Sequence, residues 1–300
     1  MLDGGRAGLR RAGAARRAAL LDAALPGPQL VPARNGLPVL LSIPHSGRDY
    51  PAWLLAEARH GRHALASLED PLVDRLAWRA LAGGFGAVIA RTPRGAVDCN
   101  RSPEEVDPLA IRDVGASAVG PRARHGLGIV PSRTHRHGLL WKRPLARERF
   151  EARLAAAYAP YHELIEQRLV ELQRAHGTAL LLDLHSMPPR GTPAPPVVIG
   201  NRHMTSSAEW LAREAVRVCD GLGFAAALNA PYAGGHIVER HGRPEAGLHA
   251  LQIELDRSEY LAADLMSAGR GFDRASRLIE ALATTLGRFL AAAPEAEAAE

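Results

Sequence analysis

Three hundred residues, 47% hydrophobic and 23% charged, describe an ordinary soluble globular chain long enough to bury a substantial core. No apolar run reaches the roughly 18 residues that would span a bilayer. The formal net charge of +5 is carried almost entirely by arginine, Lys142 being the only lysine. These arginines are scattered among acids rather than gathered into a stripe with aromatics between them, which argues against nucleic acid as a partner.

Along the chain, the first 35 residues form an N-terminal extension, helical or frayed, which has arginines but no apolar core of a signal peptide. "LPVLLSI", residues 37–43, reads as a buried strand stopped by Pro44, and "PAWLLAEARH" after it has helical spacing. "DPLVDRLAWRALAGG", from Asp70, has an acid at its cap position, an early proline, apolar residues at three- and four-residue spacing, and a terminal Gly-Gly. It predicts a helix over about residues 70–82. "FGAVIARTPRG" gives a second strand, and a loop rich in Gly, Pro, Arg and His covers 100–143. Pro144 opens the longest helical pattern, running to about His176 with a kink expected at Pro160.

"TALLLDL" and "PPVVIGN" follow as strands, "SSAEWLAREAVRVCDGLG" as a helix ending in glycine, and "FAAALN" and "LHALQIEL" as further strands. Residues 272–293 predict the last helix, and 294–300 a frayed tail. Strands alternating with helices imply one α/β domain over 36–293, a mostly parallel twisted sheet with helices on both faces. Cys99 and Cys219 cannot build a disulfide framework and neither sits in a CxxC, so both are expected as small buried hydrophobes in a reducing cytoplasm.

The chemistry gathers where strands end. "LLLDLHSMPPRG" finishes an apolar run with Asp183 and His185, two residues apart and therefore on one side of the strand. In open α/β sheets ligands bind at the carboxyl ends of strands. His45 emerges directly after the 37–43 strand, and Asp70 stands at the amino end of the predicted helix, where the alternative role is a plain cap. "VDCNRSP" supplies Asp98, Asn100 and Arg101, and Glu254 interrupts the apolar strand "ALQIEL". A glutamate there is costly unless a cation or a hydrogen-bond network compensates it. Two histidines and a carboxylate are a common ligand set for catalytic zinc, with a fourth position left for water. A further glutamate can take that water's proton, and an Asn-Arg pair suits a substrate carboxylate.

"IPHSG", "DCNRSP", "DLHSMP" and "GRPEAGLHALQIELDRSEYL" together resemble the N-formylglutamate amidohydrolase family over about residues 38–285. That family is similar to the zinc carboxypeptidases and to the aspartoacylase and succinylglutamate desuccinylase group. The resemblance implies a zinc-carboxypeptidase-like fold and one zinc ion held by His45, Asp70 and His185. It also implies Glu254 as catalytic base, Arg94 as oxyanion stabiliser, and Asn100 and Arg101 as substrate contacts. The implied reaction is hydrolysis of an N-acyl amino acid, with N-formyl-L-glutamate leading and glutamate and formate as products.

The chain departs from that pattern twice. Relatives place a glutamate three residues after the first histidine, where Arg48 and Asp49 stand, so Asp74 and Asp49 are alternatives to Asp70 as second ligand. Pro71 and Leu72 occupy the positions of a Trp and a His in the histidine-degrading members.

Other groups have roles of their own. His236 and Arg240, in "PYAGGHIVERHGRPEAG", are candidate substrate contacts beside a Gly-Gly that lets backbone approach a ligand. Asp183 is expected to orient His185, and His135 and His137 to lie in an exposed basic loop. Ser46 and Ser186 lack a GxSxG context and read as turn hydroxyls rather than nucleophiles. The readings that compete with an N-formylglutamate deformylase are a deacylase or metallopeptidase acting on another acyl amino acid or small peptide, and a metal-free, arginine-rich binding protein.

Overall fold

The computed structural model describes Leu20, Asp22 and residues 24–113 and 120–297. Most of the expected N-terminal extension and the last three residues of the expected frayed tail lie outside the described residues. The chain gathers into two compact units, one from Met1–Pro28, Gly47–Glu69 and Ala90–His162, the other from Gln29–Ser46, Asp70–Ile89 and Glu163–Glu300.

In chain order the elements begin with strands β1 (Gln29–Val31) and β2 (Val39–Ile43) and helices α1 (Ala52–Glu57), α2 (Gly61–Ala66), α3 (Val73–Leu76) and α4 (Trp78–Ala82). There follow β3 (Gly86–Ile89), α5 (Pro121–Arg124), the short β4 (Arg133–Thr134) and β5 (Gly138–Leu139), α6 (Arg147–Arg153) and α7 (Ala159–His176). The chain then runs through β6 (Ala179–Met187), β7 (Val197–Gly200), α8 (Glu209–Gly221), β8 (Ala226–Leu228), α9 (His236–His241), β9 (Leu248–Asp256) and α10 (Phe272–Glu297).

The second unit is built on a seven-stranded sheet of order β1-β3-β2-β6-β9-β7-β8. Pairings β2–β3, β2–β6, β6–β9 and β7–β8 are parallel, whereas β1–β3 and β7–β9 are antiparallel. The mostly parallel α/β sheet expected from the alternating pattern is therefore present. All nine residues of β6 and all nine of β9 are buried, as strands covered on both faces must be. Period-two alternation sorts their side chains. Val39, Leu41, Leu180, Leu182, Leu184, Leu251 and Ile253 join one apolar cluster with α3, α4, α8 and α10. Ser42, Asp183, His185, Gln252 and Glu254 occupy the intervening positions and so point to the other side. On that side the Gly235 N–H, at the start of α9, donates to Gln252 Oε1.

Two predicted helices differ from expectation for identifiable reasons. The helix expected from Asp70 begins at Val73 and is split into α3 and α4, with Leu72 in the left-handed region at φ 61°. Asp70 does not cap it, because its carboxylate is engaged elsewhere. The capping bond comes instead from Ser46, whose Oγ accepts the Asp74 N–H at 3.2 Å. The long helix expected from Pro144 is divided by a π-helical turn, Leu154–Tyr158, immediately before Pro160. Proline has no N–H to donate to the preceding turn, and a one-residue widening of the helix absorbs the missing bond.

Among its described residues the first unit has little regular structure across the expected loop, α5 and the β4–β5 hairpin. Its core is a separate apolar cluster that includes Leu54, Leu65, Ile111, Ile129, Leu140, Trp141 and Phe150. Beside it Arg153, fully buried, donates to Asp22 Oδ1 at 2.7 Å and lies over the Trp53 ring at 5.3 Å. No helix among the described residues is long and apolar enough to cross a membrane.

Candidate metal centre

The sheet of the second unit delivers three ligand-type side chains to one point. β2 ends at Ile43 and the chain turns through Pro44, which places His45 at the strand's carboxyl end; β6 carries His185 near its own. The Asp70 N–H donates to the His45 carbonyl at 3.0 Å, and this backbone bond brings the carboxylate to the histidines. His45 Nδ1 lies 3.2 Å from Asp70 Oδ2, His185 Nδ1 lies 3.0 Å from the same oxygen, and the two Nδ1 atoms are 3.1 Å apart. All three residues are buried. Among the described residues this is the one group of three or more His, Cys, Asp or Glu whose ligand atoms all lie within 4.8 Å of one another.

The donor set fits a divalent metal. Bonds of about 2.0–2.1 Å at tetrahedral angles put neighbouring ligand atoms about 3.3 Å apart, close to the triangle formed here. Hydrogen bonds satisfy that triangle poorly: protonating both Nδ1 atoms sets donor against donor, and protonating one leaves a lone pair facing the carboxylate. A cation at the centre meets all three lone pairs.

The surroundings orient these ligands. His185 Nε2–H donates to Asp183 Oδ2 at 2.9 Å, which leaves Nδ1 as the ligand atom, and Asp183 Oδ1 accepts from Ser42 Oγ at 2.7 Å. Arg257 donates from Nη2 to Asp70 Oδ1 at 3.2 Å and from Nε to Ser186 Oγ at 3.1 Å, so the outer oxygen of Asp70 is held while Oδ2 faces the histidines. Burial disfavours charge on His185, but Asp183, Asp70 and Glu254 outweigh it and hold the imidazole well above its ordinary pKa. Burial likewise opposes the Asp70 carboxylate, and its contacts with His185 and His45 hold it well below the usual range. Without metal the cluster therefore retains a proton that an incoming ion must displace.

Glu254 stands beside this group. In the β6–β9 pairing His185 is the register partner of Glu254, and Asp183 of Gln252; in the β2–β6 pairing Ser42 is the partner of Asp183. Register partners share a face, so the strands present Ser42, Asp183 and Gln252 as one row and His185 and Glu254 as the next. Gln252 Nε2 donates to Glu254 Oε1 at 2.9 Å.

The other sequence candidates are not members of this three-residue group. Arg94, Asn100 and Arg101 gather around Asp98 in the first unit. Arg94 Nε donates to Asp98 Oδ2 at 2.8 Å and its Nη1 to the Leu68 carbonyl at 2.9 Å, while the Asn100 N–H donates to Asp98 Oδ1 at 2.8 Å. Arg101 gives Nε to the Leu127 carbonyl and Nη1 to the Asn100 carbonyl, at 2.8 and 2.7 Å, and stands 4.0 Å from Asp98. Burial brings its pKa down to about 10 despite Asp98. His236 opens α9 with Nδ1 3.8 Å from Glu239, and Arg240 is exposed on the same helix.

Of the alternative second ligands, Asp49 pairs with Arg91 at the surface and Asp74 lies at the start of α3; neither belongs to the triangle. His137, in the β4–β5 turn, packs edge-on against His63 with ring centroids 4.5 Å apart. Sequence reasoning passed over Ser42, Gln252 and Arg257. A polar residue inside the otherwise apolar runs "VLLSI" and "LHALQIEL" was the available signal for the first two.

The chain as a whole is similar to known proteins of one family. The family model described as N-formylglutamate amidohydrolase matches residues 37–261. An N-formylglutamate deformylase of Pseudomonas aeruginosa is 31% identical over 270 residues, covering 83% of this chain and 94% of that protein. One from Pseudomonas putida is 30% identical over 242 residues, covering 75% and 82%. The crystal structure of an N-formylglutamate amidohydrolase from Ralstonia eutropha JMP134 superposes with a TM-score of 0.80 at 26% identity, covering 88% of this chain and 98% of that one.

Proposed function

The chain belongs to the N-formylglutamate amidohydrolase family, and on that premise we propose that it hydrolyses N-formyl-L-glutamate to L-glutamate and formate. The observation that carries this reading is the buried His45–Asp70–His185 triangle with Glu254 in register beside it. Residues 36–293 are the amidohydrolase domain in this reading, supported by the family match over 37–261.

His45 Nδ1, Asp70 Oδ2 and His185 Nδ1 would hold one divalent ion, zinc by the chemistry of the donor set. When bound, such an ion polarises the formyl carbonyl and lowers the pKa of water toward about 7. Glu254 takes the proton of the attacking water and returns it to the departing amine, so the C–N bond breaks with neutral amine leaving. Arg94 stabilises negative charge developing on the carbonyl oxygen.

The substrate carries two carboxylates, and binding them away from water needs cations and donors. We assign that role to Asn100 and Arg101, with His236 and Arg240 as further contacts; the support is the buried amide and guanidinium of the first two and the partly buried His236 and exposed Arg240 of the second pair. The partner is thus a small anionic molecule and not a nucleic acid. Cys99 and Cys219, both buried and neither in a disulfide, support a reducing cytoplasm.

The test is a panel of N-formyl-L-glutamate, N-acetyl-L-glutamate, N-formyl-L-alanine and a glutamate-terminated dipeptide, with bound metal quantified on the same preparation. Preference for N-formyl-L-glutamate by tenfold or more in kcat/KM, lost with a chelator and restored by zinc, is expected. Equal turnover of the acetyl compound or the dipeptide by metal-loaded protein would overturn the reading.

A further inference from the structure

We infer that Gln252 is a positioning residue for Glu254 and that it ties the proton-transfer group to the backbone of the loop before α9. The inference rests on the assignment of Glu254 as base. A primary amide has one donating end and one accepting end, and their order here is set by a group that can only donate. The Gly235 N–H gives its hydrogen to Gln252 Oε1 at 2.7 Å, so the amide must turn Nε2 toward Glu254, where it donates to Oε1 at 2.9 Å. A flipped amide would set N–H against N–H and oxygen against carboxylate, and neither arrangement is a bond. The side-chain oxygen of Glu254 is therefore anchored through one fixed bridge, with Gln252 buried at 4% exposure so that water does not compete for it.

Both ends of the bridge are rigid. Gln252 and Glu254 are alternate residues of β9, a strand paired on both sides. At the other end Gly234 holds φ 120°, a conformation L side chains rarely adopt, and a Cβ there would meet Val238 Cγ2 at 2.7 Å. The loop is pressed so closely onto β7 that a Cβ on Gly200 would lie 2.7 Å from the Ala233 carbonyl carbon. The Gly235 N–H thus points where packing puts it. A carboxylate that must face water in one geometry benefits from such pre-set orientation, since misplacement by an ångström is costly in rate.

The experiment is a double-mutant cycle on metal-loaded protein. Gln252→Met keeps length and apolar bulk but removes the amide donor and acceptor; Gln252→Glu keeps the acceptor for Gly235 and replaces the amide donor with a second carboxyl that competes with Glu254 for a proton. Both should lower kcat for N-formyl-L-glutamate by about tenfold or more, the scale of one lost bond to a charged acceptor. KM and bound metal should stay within about twofold. In the Glu254→Gln background, where no proton is taken, Gln252→Met should change the residual rate by less than about twofold, because its partner's function is already gone.

An equal drop from Gln252→Met in both backgrounds, or wild-type kcat in either single variant, would overturn the inference. Wild-type kcat in Glu254→Gln would overturn the assignment of the base itself, a separate result. Thermal unfolding of the metal-free variants identifies loss of fold, and if Gln252→Met does not fold, Gln252→Glu carries the cycle.

Discussion

Asp183→Asn should weaken metal binding without unfolding the protein. Asp183 is fully buried and touches no metal position; it receives His185 Nε2–H at 2.9 Å and Ser42 Oγ–H at 2.7 Å. Asparagine is the same shape. Its carbonyl oxygen can still accept from His185, and its amide can donate to Ser42 once that hydroxyl rotates. What disappears is the negative charge that orients the imidazole and makes its other nitrogen a better ligand.

Losses at such positions run to about 10–100-fold in metal affinity, or about 1.4–2.7 kcal/mol. Asp183→Ala should in addition lower the stability of the metal-free protein. It leaves a buried imidazole N–H and a buried hydroxyl without acceptors, at about 1–3 kcal/mol each. The assay is competition for zinc with a chromophoric chelator at fixed pH, with urea unfolding of the metal-free proteins alongside. Zinc affinity of Asp183→Asn within about threefold of the parent would refute the argument that this carboxylate tunes His185.

Further predictions rest on other contacts. His45→Ala and His185→Ala should each lose stoichiometric zinc and activity together, checked by metal analysis of dialysed protein; retention of zinc by both would remove the centre. Arg101→Lys keeps the charge but loses the planar fork, so KM should rise about tenfold while discrimination against an α-amidated substrate falls. The same change strips donors from the Leu127 and Asn100 carbonyls, so a lower Tm is expected with it. Burial, with Arg240, His236 and Arg243 nearby, brings the pKa of His241 down to about 3. The unfolded chain takes up that proton near pH 6.5 and the folded one only near 3, so stability falls as pH drops between those values, by at most about 1.4 kcal/mol per unit. Urea unfolding at pH 7, 5.5 and 4.5 should show a shallower acid loss in His241→Gln than in the parent; parallel losses would contradict it.

What could be read from the sequence was whatever period and adjacency encode. Asp183 and His185 announced themselves because a two-residue spacing in a strand is a shared face, and His45 because it follows a strand that proline stops. Asp70 was read as the start of a helix that begins only at Val73, and its competing role as a cap could be settled only by seeing Ser46, distant in sequence, supply that bond. Arg257 was invisible for the same reason. Its partner Asp70 lies 187 residues earlier, and no periodicity reports a contact at that range. Direction was equally hidden: "PPVVIGN" reads as a strand whichever way it runs, and β7 pairs antiparallel with β9. The three-residue β1 fell inside a segment whose composition gave no alternation to detect.

The order of strands in the sheet has a consequence for motion. β2, β6 and β9 each have a hydrogen-bonded neighbour on both sides, while β1 and β8 form the edges. Amide hydrogens in interior strands exchange with solvent mainly when the whole sheet opens, those at edges through local fraying. The strands that bear or adjoin the ligands should then be the slowest to exchange. Metal binding should slow them further by its full contribution to folding, about 4.1 kcal/mol at a thousandfold excess over Kd. Amides of β8 should scarcely respond. Breathing at the sheet's margins thus leaves the spacing between His185 and Glu254 undisturbed.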